Sequence, residues 1–149
     1  MKVEREKKNL SSFSTVGQTG ATSVHRKAEA SFDQELVYRQ NVHTQGRMQE
    51  ILLAIDHLGE QMSRSLTIQD LMRYRKLVKD FLKEASRQIY DIERRRGRVR
   101  GGRTVLVTIH TIDQEMEALV QDFLQQRREP FEVLETLDKI RGMLVDLMI

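Results

Sequence analysis

From Leu71 to Ile92 the apolar residues Leu71, Tyr74, Val78, Phe81, Ala85 and Ile92 recur at intervals of three, four and seven. That spacing gathers all six on one side of an α-helix and scatters them over both faces of a strand. Just ahead stands Thr67-Ile68-Gln69-Asp70. This is the Thr-x-x-acid pattern of a capping box, in which the side-chain oxygen takes an amide that the first turn leaves unbonded. The spacing predicts a helix over 68–95, and a helix with one apolar face needs partners of the same kind.

The rest of the chain supplies them. Met48, Ile51, Leu52, Ile55, Leu58 and Met62 predict a helix over 44–64. Phe131, Leu134, Leu137, Ile140, Leu144 and Leu147 predict another over 131–147. Pro130 opens it, at a position where a missing N–H costs nothing. Between them "TVLVTIHTI" has the β-branched content of a strand or short hairpin. Yet Val105, Ile109, Ile112, Met116, Leu119 and Phe123 keep a helical spacing and favour a helix over 104–127 with a poor first turn. The apolar end "MLVDLMI" must pack on its own bundle or on a second chain. The fold class expected is all-α, an antiparallel bundle of about four helices with a flexible N-terminal tail. Residues 1–30, rich in polar and charged residues with no stripe, are that tail. Residues 31–43 are a linker or short helix with Ser31 as a possible cap, and 44–149 are the bundle domain.

One domain is what 149 residues with 39% hydrophobic content support. The absence of cysteine excludes disulfides, thiolate zinc sites and a cysteine nucleophile. Neither a signal-like start nor an apolar run of about 20 residues occurs, so a cytoplasmic protein is expected. The four histidines lack metal-ligand spacing, and no nucleophile stands beside a base. Asp113, Glu115 and Glu117 are read as an ordinary acidic face, and "GQTGATS" at 17–23 lacks the lysine of a phosphate loop. No enzyme, cofactor or metal is expected.

Charge is the more informative feature. Residues 64–103 hold thirteen cations against five acids, and 104–149 hold four against nine. Such polarity steers an anionic partner or is satisfied between helices or subunits. In "RRRGRVRGGR" six arginines, Arg94, Arg95, Arg96, Arg98, Arg100 and Arg103, crowd against three glycines that would weaken a helix interior. The stretch is read as a mobile loop between antiparallel helices. Lys76, Lys79, Lys83 and Arg87 fall opposite the Tyr74/Phe81/Ala85 stripe as a basic ridge. No aromatic residue interleaves with the loop arginines, so contact with phosphates rather than bases is expected. A competing reading pairs them with Glu129, Glu132 or Glu135.

From about residue 45 onward the chain resembles the YaaR family of small, uncharacterised bacterial helical proteins. The segments that carry the resemblance are "LLAIDHLGEQMSRS", "DLMRYRKLVKDFLKEA", the Arg/Gly-rich interruption, "IDQEMEALVQDFL" and "LDKIRGMLVDLMI", in that order. It implies a four-helix domain, a bacterial cytoplasmic setting and no recognised activity, with Gly142 matching a glycine of the family's last helix. The basic loop lacks the family's aromatic residues, and Pro130 stands where a serine-like cap is expected.

Taken together, the residues point to a non-enzymatic protein-interaction or regulatory module. Its partner is a protein or a second copy of the chain. The alternative is nucleic-acid or other polyanion binding, candidate residues Lys76, Lys79, Lys83, Arg94, Arg95, Arg96, Arg98, Arg100 and Arg103.

Overall fold

A computed structural model describes residues 2–97 and 100–148, with side chains from Ser31 onward. The elements are α1 (Lys2–Arg64), α2 (Ile68–Arg96), α3 (Gly102–Leu124) and α4 (Pro130–Asp146). The chain divides into two compact units between Asn41 and Val42. In the first, Phe32, Leu36 and Tyr38 are exposed and Arg39 pairs with Glu35 one turn away at 2.9 Å. The second unit, 42–149, is the antiparallel four-helix bundle.

The helix expected to start near 44 starts at Lys2, and 31–43 are part of it. No proline interrupts that stretch, so nothing local ends the helix where its stripe ends. The side chains of the expected tail, 1–30, lie outside the described residues.

In α2 the Thr67 hydroxyl accepts the Asp70 amide at 3.2 Å, and Leu71, Tyr74, Val78, Phe81 and Ala85 are buried. "TVLVTIHTI" is helical, within α3. Gly101 in the left-handed region caps that helix without a side-chain bond, so its first turn has no side-chain help, as the poor propensity implies. Ile112, Met116 and Leu119 are fully buried, and Val120 joins them.

The stripe of α4 needs correction. Val133, Leu137, Ile140 and Leu144 form it, whereas Phe131 is 75% exposed. Two residues turn a helix by about 200°, so the first turn cannot bury both Phe131 and Val133. Spacing back from Leu137 by four selects valine. Leu147, Met143 and Met148 pack against the core, so the apolar C-terminus covers its own bundle.

Ion pairs link the helices in turn around the bundle. Arg47 of α1 meets Glu84 of α2 at 3.4 Å, and Glu117 of α3 meets Arg75 and Lys79 of α2 at 2.8 and 2.9 Å. Lys139 of α4 meets Glu115 of α3 at 2.9 Å, and Arg141 of α4 grips both carboxylate oxygens of Asp56 on α1. The basic middle of the chain and its acidic C-terminal part are thus partly matched inside the fold.

Candidate anion-binding site

Arg94, Arg95 and Arg96 form the last turn of α2, which ends at Gly97 with φ +78° and an amide bonded to the Glu93 carbonyl at 2.9 Å. Cations there complement the negative end of the helix dipole, worth about 0.3–1 kcal/mol each. That suits the three arginines of this turn to their place at the helix end.

It does not explain the others. Arg103 lies in the first turn of α3 and Arg100 just before it, at the positive end of a helix where a cation is unfavourable. Near the start of α3 lies the carboxylate of Glu93, reaching across from α2. A Cβ built on the buried Gly102 would meet its Oε1 at 3.0 Å, so the glycine leaves room for that carboxylate against the start of α3. Arg94, Arg96, Arg100 and Arg103 are exposed and make no ion pair among the described residues. Arg95 is also exposed, and Arg98 lies outside the described residues.

The competing pairing with Glu129, Glu132 or Glu135 fails on topology. Those residues begin α4, and α3, about 34 Å long, separates them from the α2–α3 turn. Arg128, their neighbour, pairs instead with Asp122 at 2.8 Å.

The ridge is divided. Lys79 turns to α3, where its hydrogen bond, then that of Arg75, holds the Glu117 carboxyl below the usual carboxylate range. Lys76 and Lys83 remain exposed without an ion pair among the described residues. Arg87 is exposed, 3.9 Å from Glu84.

Tyr90, 59% exposed, stands three residues after Arg87 and four before Arg94 on the same side of α2. The expectation that no aromatic interleaves with the cations considered 94–103 alone. Extended back by one helical turn, the sequence itself contains the signal.

At the opposite end of the bundle Ile68, Met72, Leu124 and Phe131 are exposed by 37, 41, 58 and 75%. Ile68, Gln69, Met72 and Arg73 line a shallow depression there. Among the described residues no group of acids and histidines could hold a metal ion. Asp113, Glu115 and Glu117 do not converge, because Lys139 holds Glu115 and α2 holds Glu117. No helix of the described residues is long and apolar enough to cross a membrane.

The family model described as a protein of unknown function (DUF327) matches residues 4–148. The chain belongs to the DUF327 family. One relative is the uncharacterized protein YaaR of Bacillus subtilis (strain 168), 25% identical over 119 residues, which span 79% of this chain and 82% of that protein. The crystal structure of an uncharacterized protein from Bacillus halodurans has the same fold, with a TM-score of 0.66 and 22% identity over 78% of this chain and 97% of that one. The resemblance to YaaR seen in the sequence is therefore a family relationship, and this DUF327 chain carries it with a turn richer in arginine than in aromatic residues.

Proposed function

We propose that this DUF327 protein is a cytoplasmic, non-enzymatic interaction module. The observation that carries this reading is the apolar end of the bundle, where Leu124 and Phe131 stand in solvent at the same end as Ile68 and Met72. Apolar groups gathered at one end of a fold mark a surface for association, where single exposed ones do not. The test is capture from a native bacterial lysate, with and without nuclease, across a range of salt. The expected result is a defined protein partner that survives nuclease and high salt and is lost when Leu124 and Phe131 are both changed to Glu. Retention of that partner by a variant with unchanged melting would overturn the reading.

A second reading rests on Arg100 and Arg103, which the helix dipole disfavours and no described carboxylate pairs. In this reading the α2–α3 turn receives a polyanion. Association would then weaken steeply with salt, since each phosphate neutralised releases counterions.

A further inference from the structure

We propose that the outer face of α2 binds single-stranded nucleic acid, with Tyr90 stacking against a base while Lys83, Arg87 and Arg94 follow the phosphates. This rests on the second reading above and gives it a ligand class. Lys83, Arg87, Tyr90 and Arg94 recur at four, three and four residues, so they share one strip of helix about 16 Å long, and all four are exposed. Of the acids near it on α2, Asp80, Glu84 and Asp91 lie on one edge, and Glu93, whose carboxylate lies against Gly102 at the start of α3, lies on the other. Glu84 turns toward α1, where Arg47 meets it. Tyr90 falls on the other edge, about three turns after Lys79, which faces α3. Along the strip Tyr90 therefore stands between Arg87 and Arg94, with Glu93 and Arg103 beyond it toward α3.

An exposed aromatic among cations selects between nucleic-acid forms. In a duplex the base faces are covered by their neighbours, and a ring on a convex helix surface cannot reach them. In a single strand every base offers a face. Phosphate contact alone would need only the cations and would not call for Tyr90. The ring can also lie against Arg87 and Arg94 within its own helix, and that arrangement makes no distinction between ligands with and without bases.

Fluorescence anisotropy at low salt separates these possibilities, using labelled oligouridylate, an abasic strand of the same length, a blunt DNA duplex and heparin. Phosphatidylglycerol vesicles, read by co-sedimentation, supply a fifth arm. Wild type is expected to bind oligouridylate more tightly than the abasic strand or the duplex. Tyr90→Ala should weaken oligouridylate binding between about 5-fold and about 100-fold while leaving heparin and the abasic strand unchanged, and Tyr90→Phe should retain most of the affinity. Changing Lys83, Arg87 and Arg94 together to Gln should weaken all the polyanions and lower the salt slope for oligouridylate by about 2. Tyr90 is exposed, so these variants should melt with wild type, and circular dichroism checks that. Equal loss of oligouridylate and abasic binding in Tyr90→Ala, or no loss of either, overturns the stacking proposal and leaves the polyanion reading standing. Binding to vesicles but not to oligouridylate overturns the nucleic-acid proposal in favour of a membrane surface. No binding to any arm overturns the polyanion reading with it.

Discussion

The hydroxyl of Tyr74 on α2 donates to the backbone carbonyl of Leu137 on α4 at 3.3 Å, inside the bundle. Burial first, then Asp138 and Asp56, pushes this phenol well above its ordinary value, so it stays protonated and a donor through the neutral range. Replacing it with Phe keeps the ring and removes the bond. We expect a loss of roughly 0.5–1.5 kcal/mol, measured by urea unfolding. A variant as stable as wild type would mean that the bond contributes nothing net.

The correction in α4 gives a paired prediction. Val133 is fully buried and Phe131 is 75% exposed. Val133→Ala should cost roughly 1–3 kcal/mol through lost burial and the cavity left behind, whereas Phe131→Ala should stay within about 0.5 kcal/mol of wild type. The reverse order in thermal denaturation would restore the stripe that begins at Phe131.

Glu117 provides a pH test. Its folded carboxyl is held below the ordinary value, first by the Lys79 hydrogen bond and also by Arg75. A depressed carboxylate stabilises the fold above its unfolded pKa, and that contribution fades as pH falls through the lower, folded pKa. Glu117→Gln should therefore lower stability at neutral pH and flatten the acid limb below about pH 4.5. Glu117 is more than one-third exposed, so water screens the pairs and the neutral-pH loss should be no more than ~1 kcal/mol. Parallel curves of stability against pH for the two proteins would refute the assignment.

The turn arginines are expected to be nearly silent in stability. Changing Arg94, Arg96, Arg100 and Arg103 together to Gln removes no described ion pair. The loss of Arg94 and Arg96 from the helix C-terminus and the relief of Arg100 and Arg103 from the wrong end of α3 should largely cancel. A melting temperature within about 3 °C of wild type is expected in scanning calorimetry. A fall of many degrees would assign these charges to the fold.

What was legible in the sequence was whatever repeats within one helix. Leu71, Tyr74, Val78 and Phe81 announced α2 because a single period fixes them all on one side. The helix through "TVLVTIHTI" was legible only from the longer window to Phe123, since its own composition favours a strand. The full extent of α1 was not legible, because its apolar stripe fades before its helical backbone does. Nor were the partners of Lys79, Glu84 and Arg141, each of which depends on which residue of another helix comes alongside once the core has set the register. Spacing alone presents the ridge as four equal cations, yet a rotation of about 60° between Lys76 and Lys79 is enough to send one to solvent and the other to Glu117. Tyr90 was within reach, one helical turn before the arginines, had the period of α2 been carried through to its end.

Gly97 and Gly101 begin and end the reversal between α2 and α3, at φ +78° and +92°. Those angles are open to glycine and strained for other residues, so the two glycines set where the turn begins and ends. Arg94, Arg96, Arg100 and Arg103, exposed and in no ion pair among the described residues, do not hold that turn in place. Natural selection can keep, lose or exchange those four charges without touching the packed helices. The same bundle can therefore carry corners of different charge in different relatives.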